Sequence, residues 1–268
     1  MKLDAYLIKC VTNMHAGSGN ANYGVIDNLV QRDIVTKLPT VHASSLKGAL
    51  REFFKNEWGE GDLKLEYVFG PDPKRGAIKG GIGYYNFFDA DLLCIPIRSN
   101  KKPFFRATAK MAIDTILGKS QNLSVAINDK TLCDKLQAID FKEPQVNIFE
   151  NINNVVLEDW KAVYSDSLKD NLPSEQSIIG QDVALFDNDT FKKFVKKLPV
   201  IARNQLDNGK SKNLWYEEVV PRESRFVSFV GKNDKYQQEF DEAFNNKIVQ
   251  IGGNASVGYG YCSIQKIS

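Results

Sequence analysis

The chain has 268 residues, 43% of them apolar and 25% charged, fractions that exclude a disordered, collagen-like or fibrous chain. Lysine and arginine total 35 against 33 acids, a formal charge of +2, so a polyanionic partner has to be met by local clustering rather than by bulk charge. Cys10, Cys94, Cys133 and Cys262 stand singly, without metal-ligand spacing, which suits a reducing, cytoplasmic setting. The first ten residues, interrupted by Asp4 and Lys9, do not read as a signal peptide, and no apolar run is long enough to cross a bilayer.

Leu3 to Val11 alternates like a strand and runs into a polar, glycine-rich loop, His15 to Asn22. After Pro39 a helix is predicted, with Ser44 or Ser45 able to cap it and Leu46, Ala49, Leu50, Phe53 and Phe54 at helical spacing. It should stop near Gly59 to Gly61. Residues 68–83 combine glycines and prolines with Lys74, Arg75 and Lys79, and read as a mobile loop. Strands are expected over Gly83–Ile97 and a short helix over Ala107–Leu117. From about 120 to 190 the pattern blurs, as in an insertion. Thr190–Leu198 reads as a helix with Phe191, Phe194, Val195 and Leu198 inward and Lys192, Lys193, Lys196 and Lys197 outward. Arg225–Val230 reads as a strand. An amphipathic helix around Tyr236–Phe244, a glycine loop over 252–260 and a closing strand, Tyr261–Ile267, complete the chain. This order predicts one α+β domain over 1–268, a ferredoxin-like sheet with helices on one face.

Several segments could carry chemistry. Neither Gly17-Ser18-Gly19 nor Gly253 to Gly258 completes a nucleotide-binding motif, since the first lacks a third glycine and the second is followed by Tyr259 rather than lysine. Each is either a hairpin turn or a place where backbone N–H groups meet an anion. The helix opening at Ser44 offers a partial positive charge, two hydroxyls, Lys47 and Arg51; it is either a phosphate site or a solvated basic face. Gly48, a poor helix former, fits close approach of a ligand. His15 and His42 could act as acid and base, or merely make contacts. Asp27 could cap a turn, or hold a Mg²⁺ together with substrate phosphate. Leu214-Trp215-Tyr216-Glu217-Glu218 could be an edge strand.

The ordered set of His15-Ala16-Gly17-Ser18-Gly19, Val25-Ile26-Asp27, Gln31-Arg32-Asp33, Ser44-Ser45-Leu46-Lys47-Gly48-Ala49-Leu50-Arg51 and Phe69-Gly70-Pro71 resembles the RAMP superfamily of CRISPR proteins. Phe88 to Leu93, Pro96-Ile97-Arg98-Ser99, Leu214 to Glu218 and Gly252-Gly253-Asn254 narrow the likeness to the backbone subunits of type III-B (Cmr) RNA-guided effectors. The resemblance implies an RRM-type palm bearing inserted loops, a lid and a thumb hairpin, with an active-site loop over 13–40, a glycine-rich loop over 68–83 and the thumb and lid within 120–190. It implies a guide CRISPR RNA held by Ser44, Ser45, Lys47, Gly48, Arg51, Gly252, Gly253 and Asn254. Complementary target RNA would be cut at regular intervals by a divalent-metal-dependent endoribonuclease, with Asp27, His15, Glu218 and Tyr216 at the catalytic site and Asp27 on the metal, Mg²⁺ or Mn²⁺. The implied partners are guide and target RNA, further copies in a helical filament and the other Cmr-complex subunits, with no membrane. Competing readings are a non-catalytic guide-binding backbone, a metal-independent guide-processing endoribonuclease using His15 and His42, and a generic single-strand binder.

Overall fold

The computed structural model describes residues 1–19, 24–71, 81–141 and 145–268. Most of the predicted glycine-rich loop, 72–80, and residues 20–23 of the loop before Asp27 lie outside the described residues. In chain order come β1 (Lys2–Cys10), β2 (Thr40–Val41), α1 (Ala43–Trp58), α2 (Leu63–Phe69), β3 (Asn86–Phe87), β4 (Ala90–Arg98) and β5 (Phe104–Ala109). Next are α3 (Lys110–Asn122), α4 (Lys130–Gln137), β6 (Val146–Ile148), β7 (Val156–Leu157), β8 (Trp160–Tyr164), β9 (Val183–Phe186) and α5 (Asn188–Val195). The chain closes with β10 (Val200–Asp207), β11 (Lys210–Glu218), β12 (Arg225–Lys232), α6 (Gln237–Phe244), β13 (Ile248–Gln250) and β14 (Tyr261–Lys266).

The strands assemble a large mixed sheet in the order β13-β14-β1-β12-β4-β5-β9-β6-β8-β7, with β2 beside β4 and β3 beside β12. Period-two alternation along β1 divides its side chains between two cores: Tyr6, Ile8 and Cys10 face one, Ala5 and Leu7 the other. On the first face α1 lays down Leu46, Leu50 and Phe54, one every four residues, and α6 adds Phe240 and Phe244. The Phe54 and Phe240 rings stack at 4.6 Å, and Tyr6 meets Phe244 at 4.9 Å. On the second face Ile113 and Ile116 of α3 and Cys133 and Leu136 of α4 cover Leu93, Val227 and Phe229. Helices therefore pack on both faces, not on one as expected, because β1, β4 and β12 are apolar on both sides.

One polar knot crosses this core. The Lys232 ammonium, fully buried, pairs with Asp4 and with Asp241 (2.6 Å), while Lys266 reaches both acids at 2.9 Å and the Tyr6 hydroxyl donates to Asp241 (2.6 Å). Burial would raise both carboxyl pKa values, but the hydrogen bonds from the two lysines outweigh it and hold Asp4 and Asp241 below the usual range. The knot ties α6 to β1, β12 and β14.

One expectation needs correction. The predicted helix over 107–117 begins only at Lys110, because Ala107 and Ala109, both fully buried, pair with β4 or β9 as part of β5. The region 120–190 carries no separate hairpin among its described residues; it supplies α4 and extends the sheet with β6 to β9. The hairpin that stands apart is 200–218, where β10 and β11 form a two-stranded sheet of their own around a left-handed Asn208-Gly209 turn and reach the rest of the chain through a Glu217–Asn28 bridge. It is exposed along most of its length and becomes buried at its base, at Glu217 and Glu218.

Candidate functional site

The base of that hairpin is where several motifs meet. Leaving β1, the chain bridges to the residues after β11, with Met14 and Val220 exchanging backbone hydrogen bonds of 2.8 and 2.9 Å. His15 follows and is buried. Its Nδ1 lies 2.7 Å from the Glu218 carbonyl oxygen, an atom that can only accept, so Nδ1 carries the proton. The His15 carbonyl accepts from the Gly253 N–H (2.9 Å). Gly252, at φ +87°, approaches so closely that a Cβ would sit 2.4 Å from the same carbonyl. His15 thus fastens the closing glycine loop to β11.

Asp27 is exposed, but its position is set by backbone. The Tyr216 N–H donates to its Oδ2 (2.8 Å), and the N–H groups of Asp27 and Asn28 both donate to the Tyr216 carbonyl at 3.1 Å. Among the described residues nothing bonds to Oδ1. Tyr216 therefore acts on Asp27 through its main chain, while its ring is exposed.

Alternation along β11 sends Glu217 and Glu218 to opposite sides. Glu217 is buried and accepts from Trp215 Nε1 (2.8 Å), Arg203 Nε (3.1 Å) and Asn254 Nδ2 (2.8 Å). Burial would raise its pKa, but the Trp215 bond, the neighbouring His15 and Arg203 together lower it below the ordinary value. Arg203 also places its guanidinium 4.3 Å from the Tyr259 ring centre. Glu218 is buried with both oxygens engaged, Oε1 by Arg32 Nη2 (2.6 Å) and Oε2 by the Val30 N–H (3.1 Å).

On α1, Ser44, Lys47, Gly48 and Arg51 fall along one side, with Ser44 and Gly48 exposed. The expected serine cap is absent: His42 holds the N-cap position without a side-chain bond, both serines lie inside the helix, and the Asp89 carboxylate accepts from the Ala43 N–H at 2.6 Å. An acid thus already occupies part of the anion-seeking end. Arg51 donates to the Gly70 carbonyl (2.6 Å), and Gln31 joins this helix to the loop region by donating to both Ser45 Oγ (2.8 Å) and the Gly17 carbonyl (3.0 Å). His42 contacts the Arg32 carbonyl at 3.4 Å, so the two histidines serve different carbonyls.

Sequence reading assigned no role to Arg32, Arg203, Gln31 or Asp89. Arg32 and Gln31 sit inside a quoted motif, and Asp89 in another, but which atoms they bind depends on chain crossings that no local pattern encodes. As for a cation, no group of three or more His, Cys, Asp or Glu residues is placed to hold one among the described residues. The Asp27 oxygen that meets no partner among the described residues is compatible with a Mg²⁺ that draws most of its ligands from water and phosphate.

A family model described as the RAMP superfamily matches residues 7–263. The chain belongs to the RAMP superfamily. A relative from Pyrococcus furiosus (strain ATCC 43587 / DSM 3638 / JCM 8422 / Vc1), the CRISPR system Cmr endoribonuclease Cmr4, is 25% identical to this RAMP protein over 98% of this chain and 95% of the relative. A chain in the cryo-EM structure of the type III-B Cmr-beta bound to cognate target RNA has a TM-score of 0.82 at 23% identity, covering 99% of this chain and 97% of that one. The crystal structure of oligomeric Cmr4 from Pyrococcus furiosus gives a TM-score of 0.69 at 21% identity, over 99% and 98%. The last two show that this RAMP protein shares its fold across nearly the whole chain.

Proposed function

We propose that this protein is a backbone subunit of a type III-B CRISPR effector, holding guide CRISPR RNA and cutting complementary target RNA beside Asp27. The observation that carries the reading is an exposed carboxylate pinned by the Tyr216 N–H at the foot of a projecting hairpin. The Pyrococcus furiosus relative, named as an endoribonuclease and aligned end to end, supports it. The likeness to a chain in a target-bound complex supports RNA and the other Cmr subunits as partners, and the oligomeric relative supports further copies of this chain. Among the described residues no helix is long and apolar enough to cross a membrane, and a cytoplasmic setting suits an RNA-guided complex.

In this reading the palm is ferredoxin-like: β14-β1-β12-β4 is the strand order, with α1 and α6 as the crossovers. The palm spans the single domain, residues 13–40 form the active-site loop, and the hairpin 200–218, rather than a segment of 120–190, is the thumb. Guide phosphates run along α1, where Gly48 leaves open space, and Lys47 and Arg51 neutralise them without reading sequence. Ser44, Ser45 and the Gly252-Gly253-Asn254 loop supply hydroxyl, backbone and amide donors.

Bending the target at the thumb brings a ribose 2′-oxygen in line with its phosphate. The 2′-oxygen bonds to phosphorus, the bond to the 5′-oxygen breaks, and the proton lost from the 2′-hydroxyl is balanced by one gained at the leaving oxygen. The products are a 2′,3′-cyclic phosphate and a 5′-hydroxyl. Asp27 orients the 2′-hydroxyl and is the protein ligand for a divalent ion, Mg²⁺ or Mn²⁺, whose chemistry is to offset charge on the phosphate. His15 keeps the glycine loop and β11 in register with it. In an assembled complex, Asp27→Ala abolishes cutting while guide and target binding persist, and chelation stops cutting until Mg²⁺ or Mn²⁺ is returned. Full activity of Asp27→Ala overturns the reading, and cutting that survives EDTA removes the metal from it.

A further inference from the structure

The loop that carries Asp27 is short of packing of its own. Val25 is 86% exposed, and Ile34 and Val35 are similarly bare. Besides the Tyr216 backbone bonds and the buried Val30, an ion pair made with a buried glutamate holds it. Glu218 takes the Val30 N–H at 3.1 Å and Arg32 Nη2 at 2.6 Å, and its own N–H donates to the Asn28 carbonyl (2.9 Å). From the other end, Arg32 Nη1 donates to the carbonyls of Val195 (3.0 Å), at the end of α5, and Lys37 (3.2 Å). The Glu218 carbonyl is the one held by His15. Residues 28, 30 and 32 are thus bonded in turn to a single glutamate, immediately after Asp27 and immediately after the Tyr216 and Glu217 that face it across a parallel bridge.

We infer that Glu218 and Arg32 are positioning residues for Asp27: their pairing sets the height of the Asp27 carboxylate relative to the hairpin, and neither touches RNA. The inference rests on the reading of Asp27 as the reactive carboxylate. Both glutamate oxygens already accept a hydrogen bond and Glu218 is buried, so it is engaged in holding the chain, whereas Asp27 is exposed to an incoming strand. Neutralising the glutamate lets the loop drift, and a displacement near one ångström at a reacting group costs about 100-fold in rate.

The test uses single-turnover cutting by the assembled complex across a pH series. Glu218→Gln and Arg32→Lys should each lower the rate about 10- to 100-fold, leave target affinity unchanged and leave the shape of the pH–rate profile intact. In the free chain, Glu218→Gln should speed amide hydrogen exchange over 26–32 and 216–219 and nowhere else. A profile that loses one limb in Glu218→Gln would make it a proton-transfer group and overturn the inference. So would wild-type rates in both variants, or exchange that does not change. Asp27→Ala is run beside them: if it cuts normally the site reading itself fails, whereas a dead Asp27→Ala with a fully active Glu218→Gln defeats only the positioning role.

Discussion

Gly48 lies in the second turn of α1, on its exposed side, and a Cβ built there meets no atom within 4 Å. Within the folded chain alone, glycine is therefore a cost: alanine should stabilise the helix by about 0.5–1 kcal/mol through its smaller backbone entropy loss. For a chain of this size that corresponds to a rise in Tm of about 2 °C. If guide RNA lies against this face, the same methyl group intrudes on it, with an overpacking penalty of about 1–3 kcal/mol, or roughly five- to 150-fold in affinity. Gly48→Ala should thus move stability and binding in opposite directions. Thermal melting of the chain gives the first quantity, and anisotropy titration with a labelled guide RNA gives the second. Unchanged guide affinity alongside a raised Tm refutes the placement of RNA on α1, and a lowered Tm refutes the open-space argument.

Lys47→Ala should reduce the slope of log affinity against log salt by about 0.7, the value for one single-strand phosphate contact. Arg51→Ala should do the same and also lower Tm, because it leaves the Gly70 carbonyl without its partner; equal Tm values for the two variants would contradict this. Gly252→Ala forces a side chain into a left-handed conformation, costing about 1–2 kcal/mol, and drives Cβ into the His15 carbonyl, whereas Gly253→Ala meets that oxygen at 3.8 Å and should melt normally. Glu217 has a lowered pKa in the fold, so its stabilisation is complete above its unfolded value of about 4.3 and fades as pH falls through the folded one. The melting deficit of Glu217→Gln should accordingly be full at neutral pH and shrink below about pH 4; a deficit constant to pH 3 would refute the charge argument. Lys232→Met should cost about 1–3 kcal/mol by removing one of the two lysines that Asp4 and Asp241 share, Lys266 still bonding both, read by denaturant unfolding, and a loss under 1 kcal/mol would show that the knot is not a tie.

Much of the fold was legible along the chain. The α1 stripe of Leu46, Leu50 and Phe54, the inward face of α5, and the strands β1, β12 and β14 follow from periodicity, since a buried face imposes its spacing on local sequence. The projecting hairpin was not. Residues 200–218 make a solvent-exposed two-stranded ribbon, which needs no apolar alternation and so leaves no periodic trace, while the irregular stretch 120–190 is built from α4 and short strands of two to five residues, too brief for a period to register.

The same division runs through the site. Residue types and order alone pointed to His15, Asp27, the α1 basic face, the Tyr216 block and the closing glycines, and so to the family. Which glutamate is tied to what, that Asp89 rather than a serine caps α1, and that Arg32 and Arg203 belong at all emerged only from the fold. Those contacts join residues as far apart as 186 and 189 positions in the chain. Neighbouring residues constrain one another through backbone sterics and a shared face, whereas partners across the molecule meet only because the intervening sheet closes, and the pairing is then chosen by distance and charge.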